Sequence, residues 1–123
     1  MANERDINDA FDHLAADIPG FVAASLVDLD SGMTLAVRSN RPEFDLAVAS
    51  AYNSELVKQK MKIMRALSLK TNMEDMIITL GDQIHFIKIV SPTTFIYLAA
   101  DRSTSNMAII RTVVTRQSKL LHS

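Results

Sequence analysis

The sequence predicts an α/β (α+β) fold: a five-stranded antiparallel sheet with helices on both faces, in the order α-β-β-α-β-β-β-α. Three observations carry that expectation. Three segments space their apolar residues at the helical period, whereas five shorter runs rich in Val, Ile, Phe and Ala lie between Gly, Pro, Asp and Ser clusters. The connections between the last three runs are tight, as in a meander. Several runs are apolar on both faces, so helices must cover both sides of the sheet.

The first helix is predicted over residues 3–17. Ile7, Phe11, Leu14 and Ile18 share one stripe, Asn3 is a plausible cap, and Glu4 and Asp6 suit the positive end of the helix dipole. Pro19-Gly20 stops it. Residues 21–27 form a strand, Asp28-Leu29-Asp30-Ser31-Gly32 a turn, and Met33–Ser39 the returning strand of a hairpin. Arg41-Pro42 leads into one long helix over residues 44–69, with Glu43 and Asp45 near its positive end, and Lys70-Thr71-Asn72 closes it. Met76–Leu80, Gln83–Val90 and Thr94–Ala100 are three further strands, joined by Gly81-Asp82 and Ser91-Pro92-Thr93. A last helix covers about 104–121, with Met107, Ile110, Val114 and Leu121 inward, Ile109 and Val113 broadening that face, and Ser105 or Asn106 as cap.

The long helix has more apolar surface than one sheet can use. Ala49, Tyr52, Leu56, Ile63 and Leu67 fall on one stripe; Val57, Met61 and Met64 fall on a second, roughly 100° further round. A helix covering one sheet face needs little more than a ~100° stripe. The second stripe is the expected surplus, and with Met76 and Ile78 on the following strand it is the expected contact with a second copy. Met61, Met64, Met73 and Met76 are four of seven methionines and cluster here, an adaptable lining favoured at binding surfaces. Pairing a free strand edge across a two-fold axis would also bury an aggregation-prone edge. On this reading Met61→Asp or Val57→Asp yields monomer or insoluble protein.

Size and composition narrow the function. The 123 residues make one domain, 1–123, able to bury about two-thirds of its unfolded surface. A hydrophobic share of 48% against 22% charged residues argues for a globular chain rather than disorder. There is no cysteine, which excludes disulfides, a thiol nucleophile and thiolate metal sites. The opening residues are acidic and polar, unlike a secretory signal. No apolar run approaches the ~20 residues of a membrane span. A cytoplasmic protein without membrane insertion is expected. Residues 1–55 hold ten Asp/Glu against three Lys/Arg, and residues 56–123 hold four against ten. That asymmetry can orient encounters with charged partners but is too dispersed for nucleic acid.

No residue set marks a reaction. Asp28, Asp30 and Gly32 suggest a calcium loop, but Met33 and Ser39 stand where the loop needs glycine and a bidentate Glu, so a plain hairpin turn is expected. His13, His85 and His122 lack mutual ligand spacing. His85 is expected as a satisfied histidine beside a helix. There is no Gly-rich phosphate loop and no nucleophile elbow; Ser25 lies within a strand, and Ser54 and Ser68 lie on or at the end of a helix. No cofactor and no metal are expected. Asp101-Arg102 reads as a turn ion pair. Lys58, Lys62 and Arg65 form a basic ridge, a solvated face or a docking strip for an acidic partner. An arginine finger at Arg41 or Arg65 is conceivable, though nothing marks either residue.

The element order over essentially the whole chain resembles the roadblock/dynein-light-chain family, including its bacterial MglB-like members. Residues 19–32, Pro-Gly-Phe-Val-Ala-Ala-Ser-Leu-Val-Asp-Leu-Asp-Ser-Gly, are similar to that family's first hairpin: a glycine, a small-residue strand, then an acidic turn ending in glycine. Tyr97-Leu-Ala-Ala-Asp-Arg102, with Asn106 opening the last helix, is similar to its final strand-to-helix junction. The chain departs from many bacterial members in holding only three glycines. The resemblance implies a profilin-like fold and a homodimer in which the long helices meet and the strand after each extends the sheet into the partner. It further implies a non-enzymatic regulator or scaffold that binds a Ras-like small GTPase or a related cytoplasmic partner. The alternatives are a structural adaptor subunit with no GTPase role and a small-ligand sensor, for which Asn53 and Lys60 are the only polar breaks in the apolar arc.

Overall fold

The computed structural model describes residues 2–121. Helix α1 (Glu4–Asp17) leads into the hairpin β1 (Phe21–Asp28) and β2 (Thr34–Ser39). Helix α2 (Leu46–Ala66) follows, then β3 (Asp75–Thr79), β4 (Gln83–Ser91), β5 (Thr94–Asp101) and helix α3 (Met107–Leu121). The five strands form one sheet in the order β2-β1-β5-β4-β3, every neighbouring pair antiparallel. The predicted elements and their order are all present. The hairpin and the meander are fused by the pairing of β1 with β5.

Local signals account for the helix ends. Asn3 accepts from the Asp6 N–H at 2.9 Å while the Asp6 carboxylate accepts from the Asn3 N–H at 3.2 Å, a reciprocal cap. Asp45 caps α2 by accepting from Val48 N–H at 3.1 Å, so the helix starts two residues later than the apolar pattern suggested. Asn106 caps α3 through Ile109 N–H at 2.9 Å, which shortens the expected 104–121 helix and leaves Met107, expected inward, 40% exposed at its first turn.

Two cores flank the sheet. Helices α1 and α3 pack side by side on one face, where Phe11, Leu14, Ile110 and Val114 meet Leu26, Phe86, Ile96 and Leu98. Helix α2 lies on the other face, chiefly over β1 and β2, where Leu46 and Val57 meet Val22, Val27, Phe95 and Tyr97. The β1–β2 turn touches α2 closely. Gly32 takes φ +76°, and a Cβ there would sit 2.8 Å from Ser54 Oγ and 3.2 Å from Ala51 Cα. Glycine satisfies both demands at once.

Candidate interaction face

Helix α2 presents its apolar residues in a way the sequence pattern does not reveal. Its sheet-facing row is Leu46, Ser50, Ser54 and Val57, all buried, continued by the half-buried Met61 and Met64. Ser50 Oγ lies 2.7 Å from Ser25 Oγ of β1, a buried hydroxyl pair that lets helix and strand approach closely. Ser54 donates to Ala51 C=O at 2.7 Å. The opposite stripe is the one left outside: Tyr52 is 74% exposed, Leu56 41%, Ile63 40% and Leu67 63%.

This exchanges the two expected stripes. Val57 is fully buried beneath its own helix and cannot touch a second copy, so its assignment to the contact is corrected. Met61 packs on the core of its own protomer. Met64 lines a groove of about 530 Å³ with Met73, Leu69 and Ile89, between the end of α2 and the β4–β5 turn. Two serines replace apolar residues on the inner row, so a count of oily side chains favours the wrong side.

The sheet beneath is incompletely covered. Because α2 runs over β1 and β2, Met76 and Ile78 of β3 and His85 of β4 remain half-buried on the same face. Register places Ile78 opposite His85. The imidazole is held on both nitrogens: Nδ1 is 3.2 Å from Tyr97 Oη and Nε2 is 2.8 Å from Gln83 Oε1. Gln83 Oε1 can only accept, so Nε2 carries the proton and Tyr97 donates to Nδ1. Burial pushes the Tyr97 phenol up to about 12, which keeps it a donor. Burial also holds His85 below its ordinary value, against the opposing pull of Asp82. Phe44, from the approach to α2, stacks edge-on at 6.4 Å, and Tyr97 does so at 5.4 Å. His85 is thus satisfied, as expected, by strand neighbours rather than by a helix.

The basic ridge divides. Lys58 is tied down, 3.2 Å from Asp30 C=O and 3.0 Å from Glu55 Oε1. Lys62 and Arg65 are exposed without an ion pair among the described residues. Arg41 pairs with Asp101, so the expected Asp101–Arg102 turn pair is replaced by a longer-range bond; Arg102 donates instead to Leu80 C=O at 3.2 Å. Asn53 donates to Ala49 C=O at 2.7 Å, and neither it nor Lys60 lines the groove beneath α2. Asp28 accepts from the Ser31 hydroxyl at 2.6 Å and its N–H at 3.0 Å, which holds its carboxyl below the ordinary aspartate pKa and occupies it within the turn. Among the described residues no three His, Asp or Glu side chains are grouped to hold a metal, and no helix is long and apolar enough to cross a membrane. His13 sits on the exposed side of α1, 3.5 Å from Asp17; His122 lies outside the described residues.

No family model and no curated protein sequence matches this chain. Solved structures do. MglB of Myxococcus xanthus superposes with a TM-score of 0.87 at 14% identity, over 98% of this chain and 95% of that one. A roadblock/LC7 domain from Streptomyces avermitilis gives 0.77 at 17% identity, over 88% of each chain. A structure described as MglB with tetrameric arrangement gives 0.82 at 12% identity, over 99% of this chain and 91% of that one. At such identities the likeness is one of architecture, and in architecture this chain has the roadblock/MglB fold that its hairpin and its strand-to-helix junction resemble.

Proposed function

We propose that this chain is a non-enzymatic regulator or scaffold, a homodimer that binds and regulates a Ras-like small GTPase or a related cytoplasmic partner. The exposed stripe of Tyr52, Leu56, Ile63 and Leu67 carries the reading. Three large apolar side chains along α2, with Leu67 at its C-terminal cap, form an exposed stripe of the kind that marks an association surface. The same stripe on a second copy is its natural cover, because a two-fold axis brings like patches together. β3 is an edge strand of the sheet, and pairing with a second copy would protect that edge too. The fold shared with MglB supports a role in small-GTPase regulation.

Two measurements test this. Light scattering on the purified chain should give twice the protomer mass, and Leu56→Asp with Ile63→Asp should give a folded monomer; a native chain that stays monomeric at high concentration overturns the dimer. Affinity purification from the source cell, with GDP or with a non-hydrolysable GTP analogue, should recover a small GTPase in a nucleotide-dependent manner. Recovery of none in either state overturns the GTPase role and leaves the adaptor reading.

A further inference from the structure

A second surface lies on the opposite face of the sheet. Beyond α3, toward the β3 edge, runs a groove of about 670 Å³ floored by β3 and β4 and walled by α3. The helical period builds its wall. Arg111, Thr115 and Lys119 follow one another at four-residue steps on one row, and Thr112, Arg116 and Leu120 on the next. Sheet register supplies the floor, where Asp75 stands opposite Lys88. Of the four cations, only Arg111 has an ion-pair partner among the described residues: its Nη2 lies 3.0 Å from Asp75 Oδ1. Lys88, Arg116 and Lys119 have none there. Leu120, 65% exposed, stands among them.

We infer that this groove docks an acidic polypeptide segment bearing an apolar anchor. Charge complementarity sets the sign: three cations without an ion-pair partner among the described residues line one channel, and Thr112 and Thr115 add hydroxyl donors suited to carboxylates. Leu120 sets the anchor, since an exposed leucine lining the same groove as the cations gains from an apolar side chain that also excludes water from the ion pairs. Glu74 in the same channel, without an ion-pair partner among the described residues, selects against a uniform polyanion. A phosphate backbone or an anionic lipid surface would set charges against that carboxylate, whereas a peptide can place its acidic groups selectively. The groove lies on the opposite face of the sheet from the α2 stripe, and its basic wall on α3 is formed within one protomer.

The test is fluorescence anisotropy with a labelled peptide of repeating Glu-Glu-Leu, against a repeating Lys-Lys-Leu control, single-stranded RNA and phosphatidylserine vesicles. Saturable binding of the acidic peptide that weakens with salt is expected, without binding of the control. Lys88→Glu and Lys119→Glu should each weaken it about tenfold and Leu120→Ser about threefold, with unchanged circular dichroism. The milder Lys119→Ala covers the case in which a charge reversal fails to fold, and should still weaken binding severalfold. The Leu56→Asp variant should bind as the native chain does, which keeps this result distinct from the fate of the dimer. No saturable peptide binding, binding unaffected by these substitutions, or preference for RNA or vesicles over the peptide overturns the inference.

Discussion

Single side chains decide how α2 seats on the sheet. The Ser25–Ser50 hydroxyl pair is fully buried, so removing one member strands the other away from water. Ser50→Ala or Ser25→Ala alone should cost about 1–3 kcal/mol, and the double variant less than the sum, because no orphan hydroxyl remains. Urea titrations of the four proteins measure the coupling. His85 makes a second prediction. Its lowered value means that the unfolded chain takes up a proton more readily than the folded one. Stability is therefore full above the ordinary histidine value near 6.5 and falls as pH drops below it, with a slope of at most ~1.4 kcal/mol per pH unit from this one site. His85→Gln should flatten that part of the profile in thermal melts between pH 5 and 8. If the native and His85→Gln profiles run parallel, the imidazole does not carry the dependence.

Along one helix, adjacent residues should have opposite fates. Val57→Asp places an unpaired carboxylate in a core with no exposure and should cost about 3–5 kcal/mol, giving insoluble protein. Leu56→Asp, one position away, changes a surface that is already wet and should leave protomer stability within about 0.5 kcal/mol while dissociating the dimer. Denaturant midpoints and light scattering separate the two outcomes. Gly32 is the matching test for the hairpin. Gly32→Ala must hold a left-handed backbone and also push against Ala51, so a loss of about 1–2 kcal/mol or more is expected in the same titrations. The amphipathic period shows that α2 has two apolar stripes. It does not show which turns inward, because Ser50 and Ser54 look polar until Ser25 and the Ala51 carbonyl satisfy them.

In the whole molecule, the two faces of the sheet divide the work. One is closed by α1 and α3 except beside β3; the other is closed by a single helix over two strands, which leaves the stripe and the half-buried Met76, Ile78 and His85 outside. If a second copy completes that face, the melting temperature should rise with protein concentration, by mass action. Calorimetry over a hundredfold range of concentration checks this, and a constant midpoint would count against association. Element types, their order and the hairpin with its meander were legible in the chain, because capping residues, turn residues and hydrophobic period act over a few neighbours. So was the overall architecture, through the succession of the hairpin and the Tyr97–Arg102 junction. Only the tertiary structure decided that β1 lies against β5, that Arg41 reaches Asp101, that Val57 goes in while Leu56 stays out, and that Lys88 joins Arg116 and Lys119 in one channel. These outcomes are settled by how helices and strands distant in sequence pack against one another, and local periodicity holds no information about that.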